Sequence, residues 1–290
     1  MKVNFYCDEH LLGVIPNPVP SVKMAPEYFK KIKPQLSVDP EDLSVKRCVP
    51  FLDAISCGYI LPLWCDVFVL ARNGELEIKF PKNFAQKETL GYHNLNQISD
   101  HPLSKKPYGN LPLKWINPWI VETEPGFSCL FTSPLNHLET RFKILDGVVD
   151  TDTYYNHINF PFLWTGGDGE FIIPKGTPLV QVIPFRREYQ EINVSPVDQN
   201  KRTKIESILG TKLRNTYREE FWSGAKKNKN EPEGIIDEPE TAQLNKAENL
   251  SEHTQVEDLA ARSEWKTEST SGILKVVADD KGRGFGEGGF

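Results

Sequence analysis

Nowhere is the 290-residue chain apolar for long enough to cross a bilayer as a helix; its longest such stretch, Gly58 to Ala71, is broken by Pro62 and Asp66. Positive charge is not in excess. With 40 acidic residues against 34 basic ones the formal charge is −6 and the pI about 5.6, which leaves no basic field to hold double-stranded nucleic acid. The five cysteines, Cys7, Cys48, Cys57, Cys65 and Cys129, include no CxxC pair and no zinc-type spacing. Cys57, Cys65 and Cys129 fall in apolar segments, where a thiol behaves as a small hydrophobe. An odd cysteine count, with Asp8 and Glu9 where a secretory signal needs an apolar run, predicts a soluble protein of the reducing cytoplasm. Also missing are a Ser-His-Asp arrangement, a nucleophile elbow, a Walker loop and any repeat of solenoid length, so acyl transfer and ATP hydrolysis by those routes are set aside.

Aromatic residues, by contrast, are plentiful, and the pattern of apolar positions carries most of the information. Ile15 to Pro20 reads IPNPVP, too poor in N–H groups for a helix or a central strand. Pro26-Glu27 opens a short helix, PEYFKKI, because proline suits a first helical turn and glutamate complements its dipole. Tyr28, Phe29 and Ile32 would pack that helix on the core. From about Val49 the period becomes two. Leu76, Ile78 and Phe80 alternate with Glu75, Glu77 and Lys79 behind an Asn73-Gly74 turn, the pattern of a β-hairpin with one dry face. Residues Pro81 to Pro112 are polar, without clear period, and read as a long loop. Strands resume at Trp115 to Val121, Ser128 to Phe131 and Phe142 to Val149. Ile158, Phe160, Phe162 and Trp164 alternate as a further buried face, and two more strands flank Lys175-Gly176. Ile205, Ile208, Leu209, Leu213 and Tyr217 then form a helical stripe suited to docking on a sheet. From Ser223 on, glutamate, lysine, asparagine and proline dominate, a composition that buries too little apolar surface to offset chain entropy. A transient helix near Val256 to Trp265 is the one element expected there.

The segment GVVDTD, Gly147 to Asp152, with the later IPKGTPLVQVI, Ile173 to Ile183, resembles the closing half of dUTPases and dCTP deaminases. In that superfamily a Gly-hydrophobic-hydrophobic-Asp turn precedes a strand, and a later turn leads into a strand carrying glutamine. Pro125-Gly126-Phe127 resembles the family's strand entry, and Ser133-Pro134-Leu135 stands at its phosphate segment, so the likeness covers Glu124 to Phe185. It implies a mostly β, β-clip (dUTPase-like) barrel or sandwich over residues 49–188. An N-terminal Pro-rich segment and short helix (1–48), a linker and C-terminal docking helix (189–222) and a disordered charged tail (223–290) complete the expected organisation. Met1 to about Trp222 also resembles an uncharacterised family of phage and bacterial proteins; that likeness carries no mechanism and places the chain in a host cytoplasm or a virion.

Hydrolysing a nucleoside triphosphate requires a carboxylate to activate water, donors around the phosphates and usually magnesium. The dUTPase likeness therefore implies Asp150 as general base, with Gln181 and Ser133 on the phosphate side. Tyr154 would be the floor of a nucleoside pocket, and Asp150, Gln181 and Tyr154 would converge on one cleft, with magnesium as cofactor. Homotrimers are common among β-clip relatives. Three positions depart from the pattern: Thr153 stands where the family has its tyrosine, Thr132 where it has arginine, and Pro134 where it has glycine. Losing a cation and an N–H from a phosphate cradle harms catalysis and hardly touches folding. Asp150 also suits a tight turn by bonding backbone N–H groups two residues on, and Gln181 suits a polar position facing a partner strand. The terminal GRGFGEGGF, Gly282 to Phe290, resembles the glycine-rich arm that dUTPases fold over a neighbouring site, with Arg283 for phosphate and Phe285 or Phe290 for a base. The preferred reading of this glycine-rich terminus is a simple flexible tail.

Three functions follow. The first is a non-catalytic binding or assembly protein, phage-derived, on a degenerate dUTPase-like fold. The second is a divergent magnesium-dependent nucleotide pyrophosphatase using Asp150. The third is a cupin-like iron(II) oxygenase, in which His137 and Glu139, two apart on one strand face, join His157.

Overall fold

Asn73 and Gly74 both take left-handed backbone angles, with φ of 53° and 83°, and this pair joins two strands in the tight turn that the sequence predicts. The computed structural model to which they belong describes residues 1–38, 42–81, 89–92, 102, 108, 113–211, 216–222, 271–278 and 284–286, the last two as backbone. In chain order its first elements are β1 (Val3–Tyr6), β2 (Val19–Pro20), α1 (Glu27–Lys31), α2 (Val49–Ser56), β3 (Tyr59–Pro62), β4 (Val67–Arg72), β5 (Glu75–Pro81), β6 (Leu90–Tyr92) and β7 (Leu113–Trp115). There follow β8 (Ile120–Thr123), β9 (Phe127–Thr132), β10 (Phe142–Ile144), β11 (Gly147–Val149), β12 (Phe160–Trp164), β13 (Gly169–Ile173), β14 (Pro178–Arg186), α3 (Gln199–Thr211), β15 (Ser271–Ala278) and β16 (Gly284–Gly286). No described helix is long and apolar enough to cross a membrane.

Two compact units result, Met1–Asn193 with Thr270–Phe290, and Val194–Ser269. The first is mostly β. Its antiparallel sheets run β11-β9-β14-β3-β2, β10-β12-β7-β6, β13-β4-β5-β15-β16 and β1-β8, and among the described residues none closes into a barrel. Period-two burial explains the strands. Phe160, Phe162 and Trp164 are each 1% exposed, and Leu76 and Ile78 are buried opposite partly exposed Glu77 and Lys79. Trp115 stacks on Phe162 at 4.8 Å between centroids and meets Phe142 edge-on at 5.7 Å. Aromatic contacts of this kind add about 0.5–1.5 kcal/mol each to the burial of the rings themselves.

Several expectations are corrected. Val49–Ser56 is helical, not extended: Pro50 lies at the start of the helix, and Val49 and Ile55 are its buried positions. Cys57, just beyond that helix, is exposed, whereas Cys65 and Cys129 are buried; burial pushes the Cys65 thiol up to about 12. The Pro81 to Pro112 loop lies largely outside the described residues, yet Leu90–Tyr92 is a strand on β7, and Tyr108 is buried with its hydroxyl on Asp168. The IPNPVP segment supplies β2, an edge strand, the sheet position that tolerates proline. In the tail, Ser271–Ala278 pairs along β5 and Gly284–Gly286 returns along β15. The β-branched and apolar run ILKVVA favours such a strand. The expected helix at Val256 to Trp265, Arg283 and Phe290 lie outside the described residues.

The second unit contains α3 and a π-helical turn at Tyr217–Phe221. No residue of α3 is buried, and Ile205 and Leu209 are 40% and 49% exposed, so the predicted apolar stripe is not a buried face. Only Ile205, Ile208 and Leu209 supply it within the helix, and Leu213 lies outside the described residues.

Candidate functional site

Strand β9 organises the residues on which the sequence reading converges. On one side it pairs with β11, Gly147 opposite Phe131 and Val149 opposite Cys129. On the other it pairs with β14, from Gln181 opposite Thr132 to Arg186 opposite Phe127. The GVVD and PLVQVI segments thus flank one strand. Their functional side chains do not meet. Asp150 follows Val149 and lies beside Ser128, whereas Gln181 and Ser133 lie at the Thr132 end, roughly 13 Å away along the strand. The turn after β11 and the Lys175-Gly176 turn stand at opposite ends of β14, roughly 30 Å apart at the usual rise per residue. The single cleft implied for Asp150, Tyr154 and Gln181 is not formed within one chain.

At the Ser128 end, Asp150 and Asp152 share Arg187. The Asp150 carboxylate accepts a hydrogen bond from the Ser128 hydroxyl at 2.7 Å and lies 3.0 Å from Arg187 Nη1. Asp152 takes both guanidinium nitrogens, Nη1 at 2.7 Å and Nη2, and accepts the Gly126 N–H at 2.8 Å. The Ser128 hydroxyl and then Arg187 hold the Asp150 pKa below the ordinary carboxylate range. Arg187 followed by the Gly126 N–H does the same for Asp152. The turn itself closes through the Asp150 carbonyl, which accepts the N–H groups of Thr153 and Tyr154. Buried Thr151 pins it, its hydroxyl 2.8 Å from that of Thr123. The expected turn role of Asp150 is therefore carried by its backbone, while its side chain makes the ion pair. Tyr154 is 46% exposed, and Tyr155 packs on Tyr6 at 5.6 Å between centroids. A divalent cation seated on Asp150 and Asp152 would face the guanidinium they already share, so this donor set does not fit magnesium.

At the Thr132 end, Gln181 is fully buried and its amide is engaged on both sides. Its Oε1 accepts the Leu135 N–H at 2.8 Å, and its Nε2 donates to the carbonyls of Ala54 at 3.0 Å and Cys57 at 2.6 Å. Both amide protons are used, and no N–H remains for a phosphate. Gly58 makes this junction possible. Its φ is +69°, and a Cβ there would stand 2.0 Å from the Val182 carbonyl oxygen. Ser133 accepts the Ile144 N–H at 3.2 Å and lines an open cleft of about 400 Å³ with Thr132, His137, Glu139, Lys143 and Thr165.

The iron(II) expectation is corrected at this cleft. Glu139 has both oxygens on Arg141, to Nε at 2.8 Å and Nη2 at 2.6 Å, and the His157 backbone pairs with Ile120 in an isolated antiparallel bridge. Among the described residues no group of three His, Cys, Asp or Glu could hold a metal ion. Two features escaped the sequence reading. Arg187 had a signal, two consecutive arginines closing an apolar strand, and so did Lys143, the one charge in the short strand FKI. No protein-family model matches the chain, and no curated protein sequence matches it.

Proposed function

We propose that the chain is a non-catalytic binding or assembly protein on a degenerate dUTPase-like β-clip scaffold of the phage type. One observation supports this reading above others: the four residues implied in nucleotide chemistry divide between the two ends of β9, each engaged in holding protein to protein. Gln181 ties three backbone groups together, Ser133 receives a backbone N–H, Tyr154 receives the Asn156 amide, and Asp150 is bound by Ser128 and Arg187. A general base needs a water to deprotonate, and an aspartate beside a guanidinium is the weaker base for it.

The pyrophosphatase reading retains one supporting observation, the 59% exposure of the Asp150 side chain. It would require Arg187 to move aside and the Gln181 end of a second copy to complete the site. A thermal-shift screen of nucleoside mono- and triphosphates, with and without magnesium, separates the two. A ligand at 100 times its Kd adds about 2.7 kcal/mol to the stability of the folded state. The binding-protein reading predicts no stabilisation that depends on both magnesium and Asp150. Stabilisation that needs magnesium and disappears in Asp150→Ala would overturn it in favour of the enzyme.

A further inference from the structure

The cleft at the Thr132 end has a chemistry that its neighbours do not use. Of its two charged lining residues, Glu139 is neutralised by the two-pronged contact with Arg141, which is itself fixed by donating to the Ile172 carbonyl at 2.6 Å. Lys143 stays. It is exposed on β10, and among the described residues no carboxylate lies within ion-pair distance of it. In the same cleft, the His137 imidazole is half-buried and has no hydrogen-bond partner among the described residues, while its backbone N–H is fixed on Pro134. The Ser133 hydroxyl accepts the Ile144 N–H and keeps its own proton to donate. An unpaired ammonium, an unpaired imidazole and a free hydroxyl proton thus line one concavity of a size usual for small-molecule sites, roughly 300–1,000 Å³.

We propose that this cleft binds a small organic anion, a carboxylate or phosphate monoester, with Lys143 as counter-charge and His137 and Ser133 as orienting donors. The proposal rests on the reading of the chain as a binding protein and names its ligand class. Apolar Pro134, Leu135 and Phe142, which also line the cleft, suit the carbon skeleton behind such a head group. The charged groups around His137 agree with an anion. Burial, and after it Lys30 on α1, itself paired with Glu27, hold the imidazole pKa below its ordinary value. Glu139 is cancelled by Arg141, and Lys143 lines the same cleft. With its pKa held low, the imidazole offers one N–H when neutral and a second on protonation. A bound anion favours the imidazolium, so binding takes up a proton and affinity rises as pH falls through the pKa of the complex.

The test uses the full chain, titrated in parallel with inorganic phosphate, acetate and, as control, chloride at matched ionic strength. The readout is the ring C–H resonances of His137 by NMR between about pH 5 and 8. The expected result is saturable binding of phosphate or acetate, the stronger arm identifying the head group, with the His137 pKa raised by the ligand. Lys143→Ala should weaken binding about tenfold, the usual worth of a charge-assisted contact, and Lys143→Arg should restore most of it. His137→Gln, followed by the amide resonances of the cleft, should bind acetate without the pH dependence of the wild type, and Arg187→Ala at the far end should bind as the wild type does. Chloride matching both anions, no saturable shift in the folded wild type, or unchanged binding in Lys143→Ala would overturn the proposal. None of these touches the binding-protein reading, which falls only to magnesium-dependent nucleotide binding through Asp150.

Discussion

One end of the β9–β14 pair is closed by a neutral amide in a dry interior, the other by a guanidinium in contact with water. Gln181 is 0% exposed and makes three hydrogen bonds to backbone groups; the Arg187 side chain is 36% exposed and lies between two carboxylates. Both tie a strand end to neighbouring chain. The difference teaches how such a scaffold holds together when its polar positions serve the fold. The buried clamp is independent of salt and pH, and its loss strands polar groups away from water. The exposed clamp is screened, and it fails in acid.

The largest effect is expected where the buried clamp depends on backbone approach. Gly58→Ala sets a Cβ against the Val182 carbonyl at a positive φ, and strain plus overlap should cost about 4 kcal/mol or more. Urea unfolding, or failure to recover folded protein, measures it; wild-type stability would break the account of this junction. Gln181→Leu keeps the volume and removes the amide, leaving the Leu135 N–H and two carbonyls without it. A loss of about 3 kcal/mol in the same measurement is expected, independent of salt.

Arg187→Ala should give the smallest shift of the three at neutral pH, shrinking further in high salt. Its signature is the acid limb. Asp150 and Asp152 have folded pKa values below the ordinary one, so their contribution is complete above the unfolded value of about 3.9. It is lost as pH falls through the folded values. Melting temperature against pH should therefore show wild type and Arg187→Ala converging as the solution is acidified. Parallel curves would remove the distinction between the two ends.

The strands were legible because burial on one face writes itself as alternation. Leu76, Ile78 and Phe80, or Phe160, Phe162 and Trp164, read the same in sequence and in structure. Helix α2 was not legible, since VPFLDAIS is short and apolar enough to serve as a strand, and only Pro50 hints at a first turn. Strand β6 was hidden for the opposite reason: three residues in a polar surround carry too little pattern. At the candidate site, residue types were legible and their partners were not. Nothing local in GVVDTD announces an arginine more than thirty positions on, and nothing in PLVQVI announces the carbonyls of Ala54 and Cys57. Those partners are set by register, which a strand's own sequence specifies only through its neighbours.

Amide chemical-shift mapping with a nucleoside triphosphate and magnesium probes the separation of the two ends most directly. Asp150, Tyr154 and Gln181 are predicted to keep their resonances throughout the titration. Concerted movement of all three along one binding curve would mean that a ligand unites what a single chain holds apart, and would contradict the account.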